Sequence, residues 1–308
     1  MSTILLTGIG GDIAQCVAAV IRESFPGVRI VGTDVHLEHG GLLSCDEFRI
    51  MPRATEDGWL GKIVGLADEV RADIIIPINE SELSVLAESA DRLPLDRWLM
   101  ASRSTLGICL DKLVTARFLE TNGLSAHWTV DAALELPRSY PCVIKPRRGS
   151  GSRGVHLVTD VSEAQFHAAR IPAPVFQELL LPSDRELTCA IYRTASGEVE
   201  VLQLRRRLVG GFTGWAEVVY EPSVEAVCRG IAATLSFRGS INAQLRLTSD
   251  GPAVFEINPR FSSTSLIRHR LGFQDVAWSI SEMLGVTAHR RPVPPGLRAV
   301  RSQGAAIL

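Results

Sequence analysis

The 308-residue sequence has no uninterrupted apolar run long enough to span a bilayer, which excludes a helical membrane span as its organising feature. No basic leader precedes its first apolar residues, and Asp12 interrupts them early, so a secretory signal is not expected. CxxC pairs are also missing. The cysteines at 16, 45, 109, 142, 189 and 228 are scattered, which suits buried thiols in a reducing cytoplasm better than a disulfide framework or a zinc site. With a formal net charge of -2 there is no general electrostatic drive toward nucleic acid or an anionic membrane. His36 and His39 form an HxxH near Cys45, but the segment is Gly-rich without a clear helix, and a polar loop explains it better than a metal site. No Ser/His/Asp or Cys/His set suggests a dedicated nucleophile. What remains is the make-up of an ordinary soluble globular protein, 46% hydrophobic and 21% charged. Its length suits two or three domains.

The most informative stretch is Val254–Arg260, a short apolar strand with polar residues on alternate positions. Alternation sends Glu256, Asn258 and Arg260 to one face and Phe255 and Ile257 to the other. Upstream, residues 241–247 repeat the alternation and offer Gln244, and the turn Ser249-Asp250-Gly251-Pro252 predicts a hairpin between the two runs. Gln244, Glu256 and Asn258 can converge as oxygen ligands for a hard cation such as magnesium, with Arg260 beside them as a fork for an anion. A solvated surface hairpin is the plain alternative.

Residues 3–7 predict a strand, followed by the glycine turn Gly8–Asp12, a helix over 13–24 and a strand over 28–33 ending at Asp34. The pattern approaches a dinucleotide fingerprint, but Ile13 stands where the third glycine belongs. A plain βαβ unit is the competing reading. A strand over 73–78 then ends in Asn79-Glu80, at the usual ligand crevice of a parallel sheet, although a helix cap explains Asn79 nearly as well. Lys112 opens a helix over 113–121 that stops at Asn122-Gly123. Lys145 lies on a strand over 140–146, and the loop 147–154, carrying Ser150, Gly151, Ser152 and Gly154, leads into another strand. Such a loop can fold over phosphates through its backbone N–H groups, or it is a mobile hairpin. It is no P-loop, since no GK[ST] closes it. Glu178 ends an apolar strand fit to receive an adenine ring near the Leu180 backbone, and Glu186 is placed for ribose hydroxyls. Arg205, Arg206 and Arg207 lead into a loop, Gly210–Trp215, an arrangement suited to a carboxylate or phosphate. Residues 290–308 read as Pro-rich and irregular.

The ordered set Lys112, Lys145, Gly149–Gly154, Glu178, Glu186, Gln244 and Glu256-x-Asn258-x-Arg260 resembles the ATP-grasp superfamily, closest to the branch of carbamoyl phosphate synthetase and biotin carboxylase. The likeness covers nearly the whole chain. It implies an α/β fold with an α+β catalytic part: a Rossmann-like pre-ATP-grasp domain (1–105), a small lid domain (106–178) with a flexible loop 147–154, and a catalytic domain (179–308). On this resemblance Lys112, Lys145, Ser150, Gly151, Ser152 and Gly154 bind nucleotide phosphates. Glu178 and Leu180 hold adenine, Glu186 the ribose, and Gln244, Glu256 and Asn258 magnesium, with manganese as a substitute. Arg260 steadies the transferred phosphoryl group, while Arg205, Arg207, Gly211, Thr213 and Glu80 are the substrate-binding candidates.

The implied chemistry is an ATP-dependent ligation that activates a small-molecule carboxylate as an acyl phosphate and joins it to an amine. The sequence is far shorter than a carbamoyl phosphate synthetase large chain, with one grasp unit and no glutaminase, and lacks the long C-terminal part of biotin carboxylase. A stand-alone cytoplasmic ligase is therefore expected, without nucleic-acid or membrane partners and compatible with a homodimer. The rivals are a carboxylase or carboxylate kinase of the same fold, a nucleotide-binding regulatory protein without turnover, and a dinucleotide-dependent oxidoreductase resting on Gly8–Asp34.

Overall fold

In a computed structural model, which describes residues 2–125, 127–149, 151 and 153–302 (Arg92 by its backbone alone), three sheets follow one another along the chain. Among these residues no helix is long and apolar enough to cross a membrane. The first sheet is made of nearly continuous apolar runs. Its strands β1 (Thr3–Thr7), β2 (Arg29–Asp34), β3 (Glu47–Ile50) and β4 (Ile74–Ile76) are parallel in the order β3-β2-β1-β4. Parallel strands need both faces covered. On one side Ile4 and Leu6 pack on Val17 and Ile21 of α1 (Asp12–Ser24). On the other Leu5 and Ile75 meet Trp59 and Ile63 of α2 (Trp59–Glu69) and Leu86 of α3 (Glu80–Ser89). Gly8, at φ +62, makes the turn after β1, and a Cβ there would lie 2.6 Å from the Asn79 amide nitrogen.

Two helices, α4 (Arg103–Cys109) and α5 (Lys112–Thr121), lead into the second sheet. Its antiparallel strands β5 (Thr129–Asp131), β6 (Cys142–Pro146), β7 (His156–Val158) and β8 (Pro174–Glu178) lie in the order β5-β8-β6-β7, with α6 (Val161–Ala168) closing a small core around Ile144 and Phe176.

The third sheet is antiparallel: β9 (Glu186–Arg193), β10 (Val199–Val209), β11 (Phe212–Val219), β12 (Gly239–Thr248), β13 (Gly251–Asn258) and β14 (Arg298–Val300), ordered β13-β12-β9-β10-β11-β14. Strand alternation divides it cleanly. Leu187, Cys189, Ile241, Ala243 and Leu245 pack with Val224 and Ile231 of α7 (Pro222–Thr234). On the opposite face Tyr192, Leu202 and Leu204 are covered by Ile267 of α8 (Ser265–Leu271) and Trp278 of α9 (Asp275–Met283). Val276 and Ile280 of α9 turn instead into the α1 core, so this helix packs against the first and third sheets at once. Beyond that cover, the same face of the third sheet is polar.

Two expectations are corrected here. The segment Gly210–Trp215 is a tight hairpin rather than a loop: Gly210 (φ +60) and Gly211 (φ +86) make the turn and β11 begins at Phe212, because two successive left-handed residues are what glycine supplies. Residues 298–300, read as irregular, add a sixth strand to β11. Arg301 follows, bonding the Thr213 carbonyl at 3.1 Å and reaching Asp12 of α1 and the Ser263 carbonyl.

Candidate active site

Asp111 organises the entrance. Its carboxylate caps α5 by accepting the N–H groups of Leu113 and Val114, and it holds Arg147 Nε at 2.6 and 2.7 Å. The Lys112 backbone N–H donates to the Arg147 carbonyl at 3.0 Å, so the helix start and the start of the 147–154 loop are tied together. Lys112 Nζ donates to the Gly149 carbonyl at 2.6 Å and lies 3.8 Å from Glu256 Oε1. Gly154, at φ +70, sits against Pro146. Ser150 and Ser152 lie outside the described residues.

Lys145, on β6, is buried and donates to Gln177 Oε1 at 2.8 Å and to the Phe255 carbonyl at 3.4 Å. Burial pulls its ammonium down to about 8, with the Glu256 carboxylate opposing that shift and the Lys112 charge adding to it. Gln177 spends its carbonyl on Lys145, so its amide nitrogen donates to Thr129 Oγ1 (2.9 Å) and to His127 Nε2 (3.1 Å). Burial, helped by the Lys145 charge, lowers the His127 imidazole to about 4. The ring is therefore neutral and carries its proton on Nδ1, facing Ser125 Oγ at 2.9 Å. This chain of side chains fixes where Lys145 points.

The expected hairpin forms, with β12 and β13 joined at Ser249-Asp250 and Gln244 directly opposite Glu256. Phe255 departs from simple alternation. The register slips between Gln244 and Leu245, so Phe255 is the extra residue of a β-bulge. Val254 and Ile257 go to the core, whereas Phe255 joins Glu256 on the cleft face, with Lys145 Nζ 5.7 Å from its ring centre. Asn258 pairs across the hairpin with Asn242 and is buried. Asn242 Oδ1 in turn accepts from Thr188 and from the fully buried Arg268, which pairs with Asp275 at 3.0 Å. Among the described residues no three His, Cys, Asp or Glu side chains cluster as a metal site. The donor set Gln244, Glu256 and Asn258 is thus one carboxylate and two amides, all oxygen, which fits a hard divalent ion that takes its remaining ligands from phosphate or water.

Lys112, Lys145, Glu178, Leu180, Glu186, Gln244 and Glu256 line one cavity of about 220 Å³, roofed by Gly149 and Arg153 of the loop. Its inner end is apolar, with Val143, Leu179, Leu180 and Phe255. Glu178 accepts the Trp128 N–H at 3.2 Å. Two arginines complete it, Arg246, which the sequence did not single out, and Arg206, the middle member of the arginine triplet. Arg246 bridges the Leu180 carbonyl (2.6 Å) and Glu186 Oε2 (3.0 Å). Arg206 Nη2 lies 2.8 Å from Glu186 Oε1 and 2.9 Å from Gln244 Oε1.

The substrate candidates are dispersed. β10 continues through the arginine triplet, so alternation puts Arg206 in the cleft and turns Arg205 and Arg207 to an outer groove on the other face. There Arg205 is 3.7 Å from Glu217, and Arg207 lies over the Trp215 ring at 5.4 Å. Gly211 is in the exposed hairpin turn and Thr213 is buried against β10, both away from the cavity. Arg260 lies beyond the end of β13, where it pairs with Glu80 at 3.1 Å and donates to the Phe261 carbonyl. Glu80, Asp34, Glu82, Arg53 and Arg148 line a second cavity of about 790 Å³ at the C-terminal ends of the first sheet. Pro146, Gly149 and Arg153 line both cavities, and Gly151 lines the second. Asn79 forms a capping box with Glu82 at the start of α3. Over the glycine turn, a Cβ on Gly10 would lie 2.6 Å from the His39 ring and 2.8 Å from Asp34, whose carboxylate already accepts the Gly10 N–H. That space is filled by the protein itself.

Residues 109–264 match the ATP-grasp domain family, and residues 4–94 match the PylC-like N-terminal domain. The chain is 25% identical over 256 residues to the formate-dependent phosphoribosylglycinamide formyltransferase of Bifidobacterium adolescentis, covering 72% of this chain and 63% of that protein. It is 36% identical over 105 residues to a D-alanine–D-alanine ligase of a Thermotoga species, covering 32% and 34%. The chain thus spans less than two thirds of the length of these relatives. The fold is shared with N5-carboxyaminoimidazole ribonucleotide synthetase from Thermus thermophilus (TM-score 0.75, 16% identity, 97% of this chain and 81% of that one). It is shared also with an L-amino acid ligase from Bacillus licheniformis (TM-score 0.72, 18% identity, 92% and 74%).

Proposed function

The chain belongs to the ATP-grasp family, and from that premise we propose that it is an ATP- and magnesium-dependent carboxylate–amine ligase. The observation that carries this reading is the convergence of Lys112, Lys145, Arg206 and the Gln244–Glu256 pair, drawn from distant parts of the chain, on one cavity. In this reading residues 1–105, 106–178 and 179–308 are the pre-grasp, lid and catalytic domains. The apolar inner end takes adenine beside Glu178 and Leu180, and Glu186 takes the ribose. Lys112, Lys145 and the loop, including Ser150, Gly151, Ser152 and Gly154, take the phosphates. Gln244, Glu256 and Asn258 hold magnesium, which neutralises phosphate charge when bound.

The γ-phosphoryl group passes to a carboxylate oxygen of the substrate. The amine then attacks the carbonyl carbon and phosphate leaves. The chain's own part is alignment and charge neutralisation by fixed cations. Lys112 and Lys145 act on the phosphates. Arg260 lines neither cavity, but it pairs with Glu80 of the second and in this reading steadies the acyl phosphate. The second cavity, with acidic Asp34 and Glu80 and basic Arg53 and Arg148, receives the carboxylate and amine substrates, a role that Arg205 and Arg207 are turned away from. The setting is cytoplasmic, which the free cysteines support.

The test is release of ADP and phosphate from a panel of small carboxylates, with and without amines. Release that requires both substrates is expected. Turnover on a carboxylate alone, at an undiminished rate, would count against ligation and favour a carboxylate kinase.

A further inference from the structure

The oxygen donors proposed for magnesium are held by cations that belong to the chain. Arg206 Nη2 donates to Gln244 Oε1 at 2.9 Å, and Lys112 Nζ lies 3.8 Å from Glu256 Oε1. Gln244 and Glu256 are directly opposed across the hairpin, so both positive groups are gathered at one oxygen pair. Arg206 arrives from β10, which is separated from β12 by β9. Its side chain crosses over Glu186, taking Oε1 with Nε at 3.2 Å and Nη2 at 2.8 Å, before it reaches Gln244.

A guanidinium has five donors, so Glu186 alone does not use it up. Its bond to Gln244 can therefore be given up while Glu186 keeps the side chain in place. Lys112 is placed alike, since its ammonium is also bonded to the Gly149 carbonyl of the loop.

We propose that Arg206 is a displaceable cation at the divalent-ion site, competing with the ion for the Gln244 amide oxygen. The inference rests on the magnesium–nucleotide reading of this cavity. Like charges at one oxygen repel, and the low-dielectric surroundings of a side chain only 11% exposed strengthen that repulsion. A polyphosphate gives the guanidinium other oxygens, for which its planar fork is well suited. Release of Gln244 then lets the ion in. Ion and nucleotide binding become positively coupled through Arg206, and by linkage each strengthens the other by the same factor. Phosphate ligation of the ion couples the two as well, so the share due to Arg206 is the part of the coupling that its substitution removes; a residue that served only to hold Glu186 in place would contribute no share.

Binding of manganese, followed by the electron paramagnetic resonance signal of the free ion, tests this on the full chain with and without ADP. For the wild type, ADP is expected to tighten manganese binding by about tenfold or more. Arg206→Gln removes the competing charge, so manganese alone binds several-fold tighter and the enhancement by ADP shrinks correspondingly. Arg206→Lys, which cannot span Glu186 and Gln244 together, moves in the same direction by a smaller factor and serves if the first variant folds poorly. Arg205→Gln, on the opposite face, leaves both constants unchanged. The proposal is overturned if either folded Arg206 variant binds manganese alone no more tightly than the wild type while ADP coupling persists. A wild type that binds neither ADP nor manganese together removes the ligase reading itself, and this inference with it.

Discussion

Lys145 Nζ is fixed by Gln177 and the Phe255 carbonyl, and burial leaves its ammonium titrating at about 8 rather than at its ordinary 10.5. The sign of the pH effect follows. Below 8 the group is charged and attracts phosphate; above 8 the unliganded lysine is neutral, and polyphosphate must draw a proton with it on binding. ADP affinity should fall as pH rises from 8 toward 10, by up to about tenfold per unit. Titration calorimetry at pH 7 and 9, in buffers of different ionisation enthalpy, should show proton uptake only at the higher pH. Lys145→Met should weaken binding at pH 7 and flatten the profile; a variant that keeps the wild-type pH dependence would acquit Lys145. At this scale the sequence was legible where chemistry and alternation agree, as at Gln244 and Glu256, whereas Lys112 and Glu186 stood out only through the resemblance. Arg206 was hidden by its neighbours: three identical residues carry no mark of which faces inward until the strand's full length is known. Arg246, two residues beyond Gln244 on the same face, was open to the alternation rule and simply lacked an obvious task.

The link between α5 and the loop is an element-scale device concentrated in Asp111. Asp111→Ala removes the cap of α5, which costs about 1 kcal/mol or more in denaturant unfolding, and also frees Arg147. Asp111→Ser keeps an N-cap acceptor but drops the Arg147 pair. It should recover most of the lost stability while nucleotide affinity stays reduced; recovery of both would mean the Arg147 contact has no role in placing the loop. Elements with strong periodicity, such as β1, α1 and the β12–β13 hairpin, were apparent from residue pattern. The bulge at Phe255 was not, since a register slip depends on the partner strand as much as on the residue. Nor was β14, whose short Arg298–Val300 segment becomes a strand only because β11 offers it an unpaired edge.

Across the whole molecule, packing decides between rival readings that the sequence left side by side. The first strand runs into a glycine turn like that of dinucleotide enzymes, but His39 and Asp34 occupy the space above Gly10, and the neighbouring cavity is lined also by Arg148, Gly149 and Arg153. ATP with magnesium should therefore raise the melting temperature by a few degrees at ligand concentrations about a hundredfold above Kd, whereas NAD should not. Stabilisation by NAD alone would contradict the assignment. The fold class followed from the resemblance of spaced motifs. The way α9 serves two cores, and the way Arg301 ties the third sheet to Asp12 of α1, depend on contacts between residues more than 250 positions apart and leave no local signature.

Pro146, Gly149 and Arg153 form a wall common to both cavities. In the proposed reading the nucleotide on one side and the acceptor substrates on the other bear on the same three residues, so filling one chamber reshapes the wall of its neighbour.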